Sequence, residues 1–315
     1  FYTYSYIKYM ELCNKQTQIK NLSYVIFDKN KILSLVIIFI ENIQNQMQMS
    51  VGEYSIQSPL INNKLSLKEL DYIKSIIKKN IIELCKKHNC KLARFQVSSF
   101  NILTNSSYYK NFYYNWGFSK NIQKKEWYDF QCNQSFIIDL KFKEEILRAN
   151  IRKSYKSLIN KTEKSDVELH IINSENINIK LFEEYGKIHN KVKSNKRSKE
   201  NLNFNLNLIK ENKETIFLCV SYKKIIGAFV VLHYNNMAYY NSGYINNDKD
   251  ILHPTHYLFW QAIKYLHKKE YQYFHIGSKI DNSLSNLPSK HINLSFFKSG
   301  WGGTAIGWEH AEKLF

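Results

Sequence analysis

Four of the ten glycines of this 315-residue chain, Gly300, Gly302, Gly303 and Gly307, fall in its last sixteen residues. Glycine costs conformational entropy and lets a backbone come close to a ligand, so this concentration asks for a reason beyond an ordinary turn. Around it runs Phe296-Phe-Lys-Ser-Gly-Trp-Gly-Gly303. Five groups are candidate proton acceptors: His233, His253, His256, His275 and Asp281. A lone histidine on a strand is more often satisfied structure than catalyst, and an amine nucleophile can also lose its proton to substrate or water. Arg148, Arg152 and Lys156 recur every four residues, which on a helix makes one basic ridge. Residues 148–164 carry +5, and 187–199 (Lys187, Lys191, Lys193, Lys196, Arg197 and Lys199) carry +6. Either patch suits phosphate, in a nucleic acid or in the diphosphate of an activated glycan, while a solvated helix face or a loop explains 187–199 equally well. Cys85, His88 and Cys90 lack a fourth ligand, and the five cysteines contain no C-x-x-C pair. They read as ordinary thiols, with no metal and no disulfide framework.

The charge balance, 45 Lys+Arg against 27 Asp+Glu, gives +18 and suits an anionic partner. Only Arg94, Arg148, Arg152 and Arg197 are arginine, and a chain crowded with Asn, Ile and Lys is what A/T-rich codons produce. Part of the charge is therefore compositional, and splitting the chain at residue 138 leaves +9 on each side. The longest apolar run, Ile32–Ile40, is far short of the ~20 residues of a membrane span and reads as a buried strand. The expectation is a cytoplasmic protein in a reducing compartment, without a transmembrane segment, for which peripheral membrane contact stays open.

Periodicity supplies the elements that must position these groups. In the second half, Ile216–Val220, Ile225–Tyr234 and Met237–Tyr244 predict an antiparallel meander. A helix follows Pro254 and ends at Lys268-Lys269, and a strand covers Tyr271–Ile276. The first half shows the same order. Tyr24–Phe27, Leu33–Ile40 and Tyr54–Ile56 are strands, Leu70 to Leu84 a helix, and Leu92–Val97 the closing strand. Each half then reaches an aromatic-glycine segment, Tyr113–Phe118 and Phe296–Gly303. Between them a strand, Phe136–Leu140, leads into one long helix over 143–164, whose apolar stripe is Leu147, Ile151, Tyr155 and Ile159. The repeated order implies a duplication, with units 1–138 and 139–315. The fold class is α/β (α+β), each unit a mixed sheet with flanking helices.

Phe136-Ile-Ile-Asp-Leu140, the run Leu147–Lys161, Tyr271-Gln-Tyr-Phe-His-Ile-Gly277 and Phe296–Gly303 together resemble the second half of the Fem-type aminoacyltransferases, which are built from two GNAT-like N-acyltransferase units. The resemblance implies transfer of an aminoacyl or acyl group to an amine of a peptidoglycan or surface-glycan precursor. It puts Lys298 in the family's lysine position, as a charge-stabilising or phosphate-contacting group. It also implies substrate or phosphate contacts at Arg148, Arg152, Lys156, Phe297, Gly300, Trp301, Gly302 and Gly303. His275 stands where relatives commonly carry aspartate, which leaves an acidic base without a counterpart. GNAT enzymes bind coenzyme A pyrophosphate on a glycine-rich turn at a helix start, and Ile245–Pro254 contains no glycine. No bound cofactor is therefore expected, and aminoacyl-tRNA is favoured over acyl-CoA as donor. The implied partners are a phosphorylated or lipid-linked glycan precursor and tRNA. Two alternatives remain at this point: an acyl-CoA-dependent amino-sugar N-acyltransferase, and a non-catalytic RNA- or polyanion-binding protein on a degenerate acyltransferase scaffold.

Overall fold

The structure is a computed structural model, and it describes residues 7–8, 11, 18–51, 55–109, 112–119, 134–192, 197–246, 253–280 and 289–315. Two compact units emerge, one made of residues 1–134 with 306–315, the other of residues 135–305.

The first unit begins with strands β1 (Lys20–Asn21), β2 (Tyr24–Asp28), β3 (Lys31–Val36), β4 (Phe39–Ile43), β5 (Gln46–Met49), β6 (Ile56–Gln57) and β7 (Leu60–Ile61). Helix α1 (Leu67–Lys87) buries Leu70, Ile73, Ile77, Ile81 and Cys85, one stripe at helical spacing. A capping box starts it: the Glu69 N–H donates to Ser66 Oγ, and the Ser66 N–H donates to the Glu69 carboxylate. Strand β8 (Leu92–Val97) and helix α2 (Ser99–Tyr109) follow. The expected single strand over Leu33–Ile40 divides. β3 joins a three-stranded sheet with β2 and β7, while β4 lies between β1 and β5 in a second sheet that continues to β8. The apolar stretch Leu35–Ile40 carries no mark of the point where a strand changes sheets, here the buried pair Ile37 and Ile38.

The second unit holds β9 (Gln134–Asp139), α3 (Glu144–Asn150), α4 (Lys153–Glu163), β10 (Glu168–Ile172), α5 (Ile179–Val192) and α6 (Lys199–Lys210). It continues with β11 (Glu214–Ser221), β12 (Lys224–Tyr234), β13 (Met237–Ile245), α7 (Pro254–Lys268), β14 (Tyr273–Lys279), α8 (Ser289–Ser299) and β15 (Thr304–Gly307). Its seven-stranded sheet runs β10-β11-β12-β13-β14-β9-β15. The meander is antiparallel as far as β13, and β14 then pairs parallel to it. On one face α7 buries Leu258, Phe259, Ala262, Ile263 and Leu266 against Phe217, Phe229 and Phe274. On the other, α5 and α6 cover Ile216, Leu218 and Val230.

The last strand, β16 (Glu309–Leu314), pairs antiparallel with β8 along its whole length. The second unit was expected to run to residue 315. These ladder hydrogen bonds instead tie the final ten residues to the first unit. Among the described residues, no helix is long and apolar enough to cross a membrane.

Candidate active site

The sequence predicts one helix over 143–164, and the structure breaks it. Ile151 and Arg152 are extended, with ψ of 138° and 135°, so α3 ends and α4 begins anew with Arg152 as its N-cap. The break turns the Arg152 N–H outward, where it donates to the Gly300 carbonyl at 2.9 Å. The guanidinium donates to Tyr155 Oη and Ser299 Oγ, both at 3.0 Å, and lies 3.9 Å from the Phe296 ring centre. Tyr155 Oη in turn donates to the Phe297 carbonyl. Arg152 thus fastens the strand-to-helix corner to the segment that carries Lys298.

The glycines of that segment approach the protein itself. A Cβ on Gly300 would stand 2.8 Å from Tyr155 Cζ, one on Gly302 2.6 Å from Asn150 Cβ, and one on Gly303 3.2 Å from the Ile137 carbonyl oxygen. Gly302 also has φ +76°, where a side chain is strained. Their clustering has a packing cause. Trp301 is buried and stacks on Phe259 at 4.2 Å, and Phe297 packs against Tyr155, His256 and Phe259. These rings belong to the core and its margin.

Lys298 leaves this cluster for the sheet. Its Nζ and Cε lie over Gly277 of β14, where a Cβ would stand 3.0 Å from Cε; Gly277 adopts φ +100°. Glycine inside a strand marks such a close approach. Two residues earlier is His275, whose ring stacks on Tyr239 of β13 at 4.7 Å and 24°. Burial, reinforced by the positive charge of Lys298, pushes His275 down to about 3. The Gly277 N–H donates to His275 Nδ1 at 3.2 Å, so the neutral ring carries its proton on Nε2. Tyr239–His275 is also the last pair in the β13–β14 ladder, which holds only Met237, Ala238 and Tyr239 against Tyr273, Phe274 and His275. The two strands part there, and Lys298 stands beside the parting.

The other candidates disperse. His256 sits among Tyr155, Phe297 and Trp301, and burial with the nearby His253 pushes it down to about 4. His233 is buried between Thr215 Oγ1 and Tyr271 Oη, each at 3.0 Å, and burial holds it near 4 as well. The His253 N–H donates to Thr162 Oγ1, and Asp281 lies outside the described residues. Arg148 donates to Asn160 and covers Trp260, lining an open cleft of about 330 Å³ with Glu144, Glu145, Glu163 and Lys264. Three carboxylates make that a poor place for phosphate. Lys156 Nζ donates to the Ala149 carbonyl at 2.7 Å. Of the 187–199 patch, Lys193 and Lys196 lie outside the described residues. Arg197 turns inward, donating to Tyr185 Oη and Asn205 Oδ1.

No protein-family model and no curated protein matches the sequence. Solved structures do match. FemX aligns with 99% of this chain and 91% of its own, at TM-score 0.70 and 9% identity. L-PGS from Bacillus licheniformis aligns with 96% of this chain and 90% of its own, at 0.58 and 12%. The C-terminal domain of a protein assigned as a lysylphosphatidylglycerol synthetase from Agrobacterium fabrum aligns with 92% and 84%, at 0.61 and 10%. The chain shares the fold of FemX and of these domains.

Within this fold, two residues escaped the sequence reading of the site: Tyr239, stacked on His275, and Gly277, beside Lys298. Tyr239 has no signal beyond its place in an aromatic strand. Gly277 does have one, since an isolated glycine in a strand points to a close neighbour. A third feature lies apart from Lys298. Glu214 at the start of β11 is fully buried and accepts from Asn205 Nδ2 at 2.9 Å; burial pushes its carboxyl up to about 7 against that bond and the charge of Arg197.

Proposed function

We propose that the protein is an N-acyltransferase that moves an aminoacyl or acyl group onto an amine of a peptidoglycan or surface-glycan precursor. The observation that carries this reading is Lys298 beside Gly277 and His275, where β13 and β14 part. Nucleophilic attack of a neutral amine on an ester or thioester carbonyl places negative charge on the carbonyl oxygen. The Lys298 ammonium and the His275 Nε2–H are two donors that can stabilise it, and preorganised donors of this kind supply a large share of acyl-transfer catalysis. Collapse of the intermediate forms the amide and breaks the bond to the leaving alcohol or thiol. With a pKa of about 3, His275 is too weak a base to hold the amine's proton, which leaves to water or substrate.

Aminoacyl-tRNA is the favoured donor over acyl-CoA. A diphosphate on a helix start needs free amides. At α7, Pro254 has none, the His253 N–H is spent on Thr162, and those of His256 and Tyr257 return to the His253 carbonyl. The acceptor in this reading is a phosphorylated or lipid-linked glycan precursor, reached in the cytoplasm.

The test is transfer of a labelled acyl group from aminoacyl-tRNA and, separately, from acyl-CoA to amine-bearing muropeptide and amino-sugar acceptors, read by mass spectrometry. An RNase-sensitive amide product supports the tRNA branch. Thiol release without RNA moves the donor to acyl-CoA. Tight, salt-dependent RNA binding with no amide from any acceptor would leave the polyanion-binding alternative standing in its place.

A further inference from the structure

The three-stranded sheet of the first unit has an outward face that its own sequence makes apolar. Val25 and Phe27 point to the same side of β2, and their ladder partners are Leu35 and Ile32. Leu35 pairs in turn with Leu60 of β7. The register shifts between Ile26 and Phe27, so Leu33 stands opposite no partner. This bulge has a consequence for facing. Leu33 packs on the core with Tyr24 and Ile26, while Ile32, which plain alternation would put on the inner side with Ser34 and Val36, turns outward beside Phe27. The result is a row in which exposed Val25 and Leu60 flank half-buried Leu35, and a second, exposed row, Phe27–Ile32, next to the Asp28–Lys31 turn. Phe27 is 66% and Ile32 62% exposed, far more than a strand within a long apolar run is expected to be.

The charges about this face are mostly of one sign. Lys29 and Lys31 on the hairpin, with Lys64 and Lys68 on the segment from β7 into α1, are all exposed. Asp28 and Glu69 are the acids in the same stretches, and Glu69 is already engaged by Ser66. Asn62 Nδ2 donates to the Ile32 carbonyl, and the charge of Lys31 acts on Glu69, so the two stretches are neighbours.

We propose that this face is a membrane-docking surface for an anionic lipid bilayer. Phe27 and Ile32 flank the hairpin tip, where they can enter the headgroup region while the lysine ammoniums remain at headgroup level, as amphipathic side chains do at such interfaces. Symmetric pairing with a second copy would set four lysines against four, whereas an anionic bilayer answers both the apolar rows and the charge. The proposal stands apart from the acyl-transfer reading, since it uses no residue near Lys298.

The test is cosedimentation of the full chain with vesicles of phosphatidylglycerol and phosphatidylcholine in equal parts, beside vesicles of phosphatidylcholine alone. Binding is expected to the first and to fall at least about tenfold on the second. The double variant Phe27→Asp/Ile32→Asp is expected to lose binding by a similar factor, and Lys29→Glu/Lys31→Glu by somewhat less. Circular dichroism and the melting temperature of each variant show whether it is folded, and the exposed lysine pair keeps the test open should the apolar pair unfold. The proposal is overturned by absence of binding to anionic vesicles, by equal binding to both compositions, or by folded variants that bind like the parent. It is equally overturned if the Phe27/Ile32 pair controls a concentration-dependent dimer and leaves vesicle binding unchanged.

Discussion

The aromatic-glycine segments of the two units occupy the same place in the order of elements and end in different ways. In the first unit Phe112, Tyr113, Trp116 and Phe118 are buried against one another and against Phe95, and Gly117, at φ +78°, closes a single turn. In the second, Phe297 and Trp301 fill a similar aromatic cluster, yet Lys298 between them reaches out to Gly277. The buried charges differ in the same sense. Arg94 and Glu312 of the first unit, almost fully inaccessible, pair at 3.0 Å. Arg152 of the second meets hydroxyls, a carbonyl-linked tyrosine and rings, and among the described residues no carboxylate lies within ion-pair reach of it. The first unit pairs a buried cation with a carboxylate inside its core. The other holds positive charge at the edge of a place where two strands separate. The lesson is that a shared element order does not fix the fate of a charge.

That contrast can be broken by mutation, beginning with the largest effect. Removing one partner of the sealed pair, by Arg94→Ala, should cost about 3–5 kcal/mol in urea unfolding because Glu312 is left buried and uncompensated; a cost under about 1 kcal/mol would mean that the first unit's charges are not sealed. Gly300→Ala forces a methyl into the Tyr155 ring and should cost about 1–3 kcal/mol, together with a quenched or shifted tyrosine–tryptophan signature in near-ultraviolet circular dichroism. His275 sharpens the comparison through pH. Its folded pKa of about 3 lies below its ordinary 6.5, so the unfolded chain takes up this proton first as pH falls. The stability it contributes is present above about pH 6.5 and is lost toward pH 3. His275→Gln should therefore lose about 3 kcal/mol less on acidification from about pH 7 to about pH 4 than the parent does. Smallest is Arg152→Lys, which keeps the charge but cannot span Tyr155 and Ser299 as a planar fork does; a loss of about 1 kcal/mol is expected, recovered in no part by added salt.

Much of the scaffold is legible in the residues. The meander over β11–β13 announces itself by β-rich runs separated by short polar turns, and α7 by Pro254 at its start and apolar positions at helical spacing. What stays hidden is decided by partners distant in sequence. Ile151 fits the apolar stripe of one continuous helix, and it remains buried; the break beside it exists because Gly300 accepts the Arg152 N–H, a contact 148 residues away that periodicity does not encode. The run from Ile32 to Ile40 looks like one buried strand, yet a bulge at Leu33 and a change of sheet after Val36 leave Ile32 in solvent. Of the site, Lys298 and His275 are brought together as neighbours of Gly277. Trp301, Gly300, Gly302 and Gly303 are spaced like ligand contacts, but their close approaches are to Phe259, Tyr155, Asn150 and Ile137.

The central claim is that Lys298, at the parting of β13 and β14, stabilises charge during acyl transfer to an amine. The most direct measurement compares parent and Lys298→Met in the same amide-forming assay, with melting temperatures alongside. The account predicts an amide product from the parent and a fall in kcat/KM of about 10²–10³ in the variant at an unchanged melting temperature. Equal turnover by the folded variant would contradict it.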